Sequence, residues 1–158
     1  MKLSIDYQLV GAGWSRCKVT SEELECELSA SYLSDALATL VLGACSVLAG
    51  FASVSFGFDE EPGEYRWSVN RVTPTEIKIR LLKFSELWSN LPDSEGQLLV
   101  EFSCHPLEFG LAVQSAAASV LAEHGLVTYK EKWVQHEFPS KQLEVLNEYV
   151  ARWQSWQT

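Results

Sequence analysis

Apolar and polar side chains alternate with a period of two through most of this chain. A period near 3.6 takes over in three places. Period two runs through Leu3, Ile5, Tyr7 and Leu9, and more weakly from Trp14 to Thr20. It returns at Leu24, Cys26 and Leu28, set against Glu23, Glu25 and Glu27. Each run predicts a half-buried strand. Ser21-Glu22-Glu23 also resembles a helix start, but the spacing fits a strand better.

The most distinctive stretch is Phe51 to Arg71, FASVSFGFDEEPGEYRWSVNR. Ala52, Val54, Phe56 and Phe58 share one face of a first arm, and Tyr65, Trp67 and Val69 share one face of a second. Pro62-Gly63 fits a type II turn between them. With Glu61 opposite Glu64, Phe58 would meet Trp67, and Asp59 would meet Arg66 on the outer face. Type II turns fit tight hairpins poorly, so a longer loop shifted by two is the alternative. Two further runs extend the sheet. Ile77, Ile79 and Leu81 point inward against Glu76, Lys78 and Arg80, and Leu98, Val100 and Phe102 point inward against Glu101. A three-residue loop at Val72-Thr73-Pro74 would pair Trp67 with Ile79 and Arg66 with Arg80. Asp59, Arg66, Arg80 and Glu101 would then form a row on the outer face.

Helical spacing governs three segments. Leu33, Leu37, Leu40, Val41, Ala44 and Leu48 share a face, with Ser31 or Ser34 as cap and Gly50 as terminator. Pro106 opens a second helix through Leu107, Leu111, Val113, Ala117, Val120 and Leu121, which His124-Gly125 is expected to end. Leu126 to Phe138 reads as irregular and aromatic. Leu143, Leu146, Val150 and Trp153 mark a last helix, with Ser140 as its cap. Between the strands, Leu87 and Trp88 read as an anchor and Pro92-Asp93 as a breaker in a loop. The expected fold is α+β: a mainly antiparallel sheet of five to seven strands, with about three helices packed on one face. No linker or repeat divides residues 1–158, so one globular domain is expected.

Composition narrows the partners. Asp plus Glu number 21 against 12 Lys plus Arg, a net charge of −9. Such a chain repels a phosphate backbone and suits a basic protein partner, so no nucleic acid is expected. Ala36 to Phe58 contains no charge and is long enough to span a bilayer. Glycines interrupt it, its second half alternates, and its flanks are acidic, so no membrane span is expected. The N-terminus lacks an apolar signal region. Cys17, Cys26, Cys45 and Cys104 form no CxxC pair and no zinc-ligand spacing, which predicts reduced, buried thiols and a cytoplasmic protein.

Candidate chemistry is sparse. No phosphate-loop, dinucleotide, metalloprotease or hydrolase motif occurs, and no cofactor or metal is expected. The carboxylates Asp59, Glu60, Glu61 and Glu64 lack calcium-loop spacing. With Arg66 and Arg80 they are the expected partner-facing residues, because Arg meets carboxylates and phosphates bidentately. Cys104 and His105 are adjacent, and neighbours on a strand point apart, which excludes a dyad there. A second candidate is an enzyme or small-molecule binder with a pocket between sheet and helices, lined by Trp67, Tyr129, Trp133 and His136. A third is a homo-oligomeric structural module that pairs through the C-terminal helix, where Trp153 and Trp156 lie.

The stretch FDEEPGEYRW, with Glu123-His124-Gly125, Tyr129, Trp133 and His136-Glu137-Phe138-Pro139, resembles small bacterial single-domain proteins, some of them like immunity proteins encoded beside secreted toxins. That resemblance implies stoichiometric binding of a toxin without chemistry, with the hairpin as the family hallmark. The leading expectation is therefore a non-catalytic protein-binding protein.

Overall fold

A computed structural model describes residues 2–134 and 136–157. Three strands come first: β1 (Leu3–Leu9), β2 (Trp14–Ser21) and β3 (Leu24–Ser31). Helix α1 (Ala36–Leu48) leads into β4 (Ser53–Asp59), β5 (Glu64–Thr73), β6 (Glu76–Phe84) and β7 (Gln97–Cys104). Helices α2 (Pro106–Trp133) and α3 (Ser140–Trp156) complete the α+β fold. All strand pairs are antiparallel. They divide into two sheets, β1-β2-β3 and β4-β5-β6-β7, because α1 interrupts the run of hairpins. The inner sides of both sheets and all three helices share one hydrophobic core.

Helix α1 is uncharged because little of it meets water. Ten of its 13 residues are buried, since β4, α2 and α3 pack around it. Its cap is Asp35, not Ser31 or Ser34. Ser34 is instead spent on β4, where its Oγ accepts from the Asp59 N–H at 3.0 Å. The last carbonyls of α1 have partners from elsewhere in the chain. Arg71 Nη2 donates to the Val47 oxygen at 2.5 Å and Trp153 Nε1 to the Leu48 oxygen at 2.8 Å. Such orphan carbonyls need partners when a helix end is enclosed. Trp153 thus docks within its own chain, whereas Trp156 is 70% exposed.

The registers differ from the tight-turn expectation. In β4–β5, Phe58 faces Tyr65, Phe56 faces Trp67 and Asp59 faces Glu64, which is the longer loop shifted by two. The Glu61–Pro62 peptide is cis, which no type II turn contains. In β5–β6 the loop has two residues, not three, and a bulge follows Arg71. Trp67 therefore faces Leu81, and Ser68, not Arg66, faces Arg80. Both shifts are even or compensated, so Phe58, Tyr65, Trp67, Val69, Ile77, Ile79 and Leu81 remain buried as expected. Leu24 and Leu98 do not; they are 43% and 51% exposed.

The helical run that opens at Pro106 breaks at Gly125 as expected, because its φ 73° and ψ 174° are not helical. A second helical stretch follows it to Trp133, where an irregular segment was expected, so α2 is two helices joined at a kink. The kink turns the second half, with Tyr129 and Trp133, into the core. There Gly13 of the β1–β2 turn donates to the Lys132 carbonyl at 2.6 Å. Among the described residues, no helix is long and apolar enough to cross a membrane.

Candidate functional site

The outer side of the four-stranded sheet is crossed by residues 85–96, the connection from β6 to β7. Two arginines hold it down. Arg66 Nη1 lies 3.0 Å from Asp93 Oδ1, and Arg80 Nη2 lies 2.9 Å from Asp93 Oδ2. One carboxylate thus accepts from two guanidinium groups. Arg66 also donates to the Leu91 carbonyl at 2.6 Å and lies 4.1 Å from the centre of the Phe84 ring. Arg80 donates to Ser68 Oγ at 3.2 Å. Arg80 faces Ser68 and Arg66 faces Leu82, so the two arginines sit on a diagonal, which lets them converge on Asp93.

The expected row holds only at its far end: Arg80 faces Glu101 across β6–β7, whereas Arg66 faces Gly57 and Leu82 instead of Asp59 and Arg80. Arg66 and Arg80 serve the connection, and Glu101 lies 3.8 Å from Lys78. Burial alone would push the Asp93 carboxyl up. Hydrogen bonding from Ser68 and Arg66, with the Arg80 and Arg66 charges, outweighs it and holds the group below the usual carboxylate range. A lowered folded-state pKa gives stability that is present above the unfolded pKa and lost as pH falls through the folded one. Asp93→Asn is expected to cost about 1–2 kcal/mol near pH 7. Thermal melts should show that gap shrinking as the pH falls below the ordinary carboxylate range and through the lowered folded-state pKa.

Pinning the connection fixes Trp88. Its Nε1 donates to Asp59 Oδ2 at 3.0 Å, yet the side chain is 66% exposed. Of the expected anchor, Leu87 is half-buried and Trp88 is displayed. Trp88 and Asn90 have φ 54° and 55°, a conformation uncommon for residues with a side chain. Asp59 joins Trp88 to the β4–β5 turn, whose other carboxylates are Glu60, Glu61 and Glu64. Three serines tie that turn to the end of β3 and the start of α1. Ser29 Oγ donates to Glu60, Ser31 Oγ donates to the Asp59 carbonyl, and Ser34 accepts from the Asp59 amide. Glu61 is exposed. Burial pushes the Glu64 carboxyl up, the Arg66 charge opposes that, and Asp59 adds to it.

These carboxylates differ from those on the three-stranded sheet. There Arg16 meets Glu27 at 2.8 Å and Lys18 meets Glu25 at 3.1 Å, a neutralised ladder. Among the described residues, no Lys or Arg forms an ion pair with Asp59, Glu60 or Glu61. The turn and Trp88 together present unneutralised negative charge beside an accessible indole.

The pocket residues lie elsewhere. Trp67, Tyr129 and Trp133 are 0% exposed. Trp67 packs between Phe56, Phe58 and Phe109 at centroid distances of 5.5, 5.9 and 6.1 Å. Tyr129 packs edge-on against Phe138 at 5.4 Å. His136 is half-buried, with Nε2 3.1 Å from the Tyr32 carbonyl oxygen and Nδ1 3.7 Å from Asp35 Oδ2. Both ring nitrogens are thus engaged. His105 caps α2 through Nδ1, which accepts from the Leu107 N–H at 3.1 Å. The four cysteines are buried free thiols, and burial pushes Cys45 up to about 11 and Cys104 to about 12. Thiols so raised are poor nucleophiles at neutral pH. Among the described residues, no cluster of His, Cys, Asp and Glu has the geometry to hold a metal ion.

Comparison with protein-family models, curated proteins and solved structures finds no match to this chain.

Asp93 and the display of Trp88 were not legible as site features. Pro92-Asp93 announces a turn, but nothing local says that its carboxylate reaches back 27 residues to Arg66.

Proposed function

We propose that this chain is a non-catalytic protein-binding protein that captures a basic protein, as immunity proteins capture a bacterial toxin. The observation that carries this reading is Trp88, two-thirds exposed and hydrogen-bonded to Asp59 at the rim of an unneutralised acidic turn. Tryptophan is enriched among residues that dominate binding energy, and its face attracts Lys and Arg. Its presentation is preorganised, because Arg66, Arg80 and three serines already hold the connection and the turn. Ordering costs on binding are correspondingly small. The net charge of −9 adds long-range attraction for a basic partner.

Arg66 and Arg80 enter this reading as supports for Trp88 and not as contacts. Asp59, Glu60, Glu61 and Glu64 remain the acidic contacts. A pocket-based function has less support, because Trp67, Tyr129 and Trp133 are closed to solvent.

The test uses purified basic proteins encoded beside this gene, titrated by calorimetry against the wild-type chain. One-to-one binding that weakens with added salt is expected. Trp88→Ala should weaken it by about 30-fold or more, as for a residue at the centre of an interface. Glu60→Lys with Glu61→Lys should slow association. If no neighbour-encoded protein binds, or if the variants bind like wild type, the proposal fails.

A further inference from the structure

A second polar constellation lies where β3 passes into α1. Here the connection between α2 and α3 meets that corner through two side chains, His136 and Asp35. His136 Nε2 is 3.1 Å from the Tyr32 carbonyl oxygen, and a carbonyl oxygen can only accept. Nε2 therefore carries a hydrogen in every protonation state that keeps this bond. Nδ1 is left facing Asp35 Oδ2 at 3.7 Å. A neutral ring then sets a nitrogen lone pair against a carboxylate, and a protonated ring sets a cation against it. One proton at Nδ1 changes the sign of the contact.

Apart from the Ala38 amide, the surroundings offer Asp35 little that favours its charge. Its Oδ1 is enclosed without a hydrogen bond, as are the hydroxyls of Tyr7 from β1 and Tyr129 from α2. Both phenols are near enough to Asp35 for charge on one to oppose charge on the other. Ser15 of β2 stands beside Tyr7 without hydrogen-bonding geometry, and its hydroxyl is enclosed too. The inner side of Asp35 thus offers phenols and a hydroxyl but no cation. On the outer side, Glu137 and Lys141 line the same groove, and Glu137 is held 3.3 Å from Lys130.

We propose that Asp35 and His136 form a proton-operated latch. It closes the α2–α3 connection onto the β3–α1 corner when Nδ1 is protonated and loosens it when Nδ1 is bare. Burial pushes the Asp35 carboxyl above its ordinary range, and the His136 charge and the Ala38 amide pull it back. The imidazolium and the Ala38 amide both favour the ionised carboxylate, and of the two only the imidazolium can lose its contribution with a proton. The latch sits beside a groove of about 520 Å³ between Asp35 and residues 136–142. The first turn of α3 springs from the same connection, through Ser140 N–H to the Phe138 carbonyl and Leu143 N–H to the Pro139 carbonyl. Those two amides report on whether the latch is closed. This device is independent of the acidic turn and Trp88.

Hydrogen-exchange protection factors at Ser140 and Leu143, measured from about pH 5.5 to about pH 8.5, test it. Protection in the wild-type chain should fall about two- to fivefold across that range, the scale of a half-exposed ion pair. His136→Gln keeps an N–H for the Tyr32 carbonyl but cannot titrate, so its profile should be flat. Asp35→Asn should be flat as well. The nitrogen shifts of His136 in the wild-type chain supply a check that needs no variant. They should show the neutral ring with its hydrogen on Nε2. A flat wild-type profile, an unchanged fall in both variants, or a neutral ring with its hydrogen on Nδ1 overturns the latch.

Discussion

Trp67→Ala is expected to cost about 3–5 kcal/mol, a large fraction of the roughly 5–15 kcal/mol that typically separates a folded domain from its unfolded chain. Trp67 is wholly buried and joins three elements, touching Phe56 and Phe58 of β4 and Phe109 of α2. Alanine would leave a cavity that two β-strands and a helix cannot collapse into without breaking register. The indole N–H has no acceptor, so the loss belongs to ring packing and not to a hydrogen bond. Trp67→Phe separates these effects. It retains a ring and removes an unpaired buried donor, so its cost should be about 1 kcal/mol or less. Urea denaturation of both variants decides the matter. Near-equal losses would mean that the indole makes a polar contact the structure does not show.

The second large effect is expected at the hairpin tip. Gly63 is buried, and a Cβ there would lie 3.3 Å from the Ser85 carbonyl carbon and closer still to the Phe84 carbonyl oxygen. Those obstacles are backbone at the end of β6 and cannot rotate away as a side chain could. Gly63→Ala is therefore expected to cost about 2–3 kcal/mol by forcing the turn off the strand end. The Glu60 N–H, which donates to the Gly63 carbonyl at 2.9 Å, would move with it. Asp59 and Glu60 would lose their serine partners, and Trp88 its Asp59 acceptor. Reduced stability by urea denaturation should thus accompany a shifted Trp88 indole resonance. An unshifted resonance in a destabilised variant would show that tip and connection are not mechanically joined.

Much of the fold follows from periodicity, because burial on one side imposes it. The parity of Phe56, Phe58, Tyr65 and Trp67 survives both register shifts, since a slip by two keeps every side chain on its face. Exposure of Leu24 and Leu98 was not legible, because each lies at the first residue or two of a strand where the sheet no longer covers it. Register itself depends on turn geometry. A cis peptide before Pro62 and a bulge after Arg71 leave no local signature beyond proline and small polar residues. The stop at Gly125 was legible from its glycine, but the helix that resumes beyond it was not, because the aromatic run from Leu126 to Phe138 shows no clear helical period.

The candidate surface was legible in part. The acidic turn was visible as a run of carboxylates at Asp59, Glu60, Glu61 and Glu64. The role of the arginines was not. Their partner lies in a loop without periodicity, and its return over the sheet is a tertiary fact. Likewise His136 looked like a pocket residue among aromatics, whereas its partners, Tyr32 and Asp35, lie about 100 residues earlier.

The N-terminal sheet has a consequence for synthesis. Its three strands pair with one another through short turns, so they can form as soon as they leave the ribosome. What covers them comes much later. The Leu3 amide donates to Glu108, 105 residues on, and Gly13 of the β1–β2 turn donates to the Lys132 carbonyl. Throughout translation of the intervening half, Leu3, Ile5, Tyr7, Val19 and Leu28 form a finished sheet with an uncovered apolar side. Nascent chains of this protein should accordingly engage holdase chaperones until α2 has emerged, and arrest short of residue 106 should yield an aggregation-prone fragment.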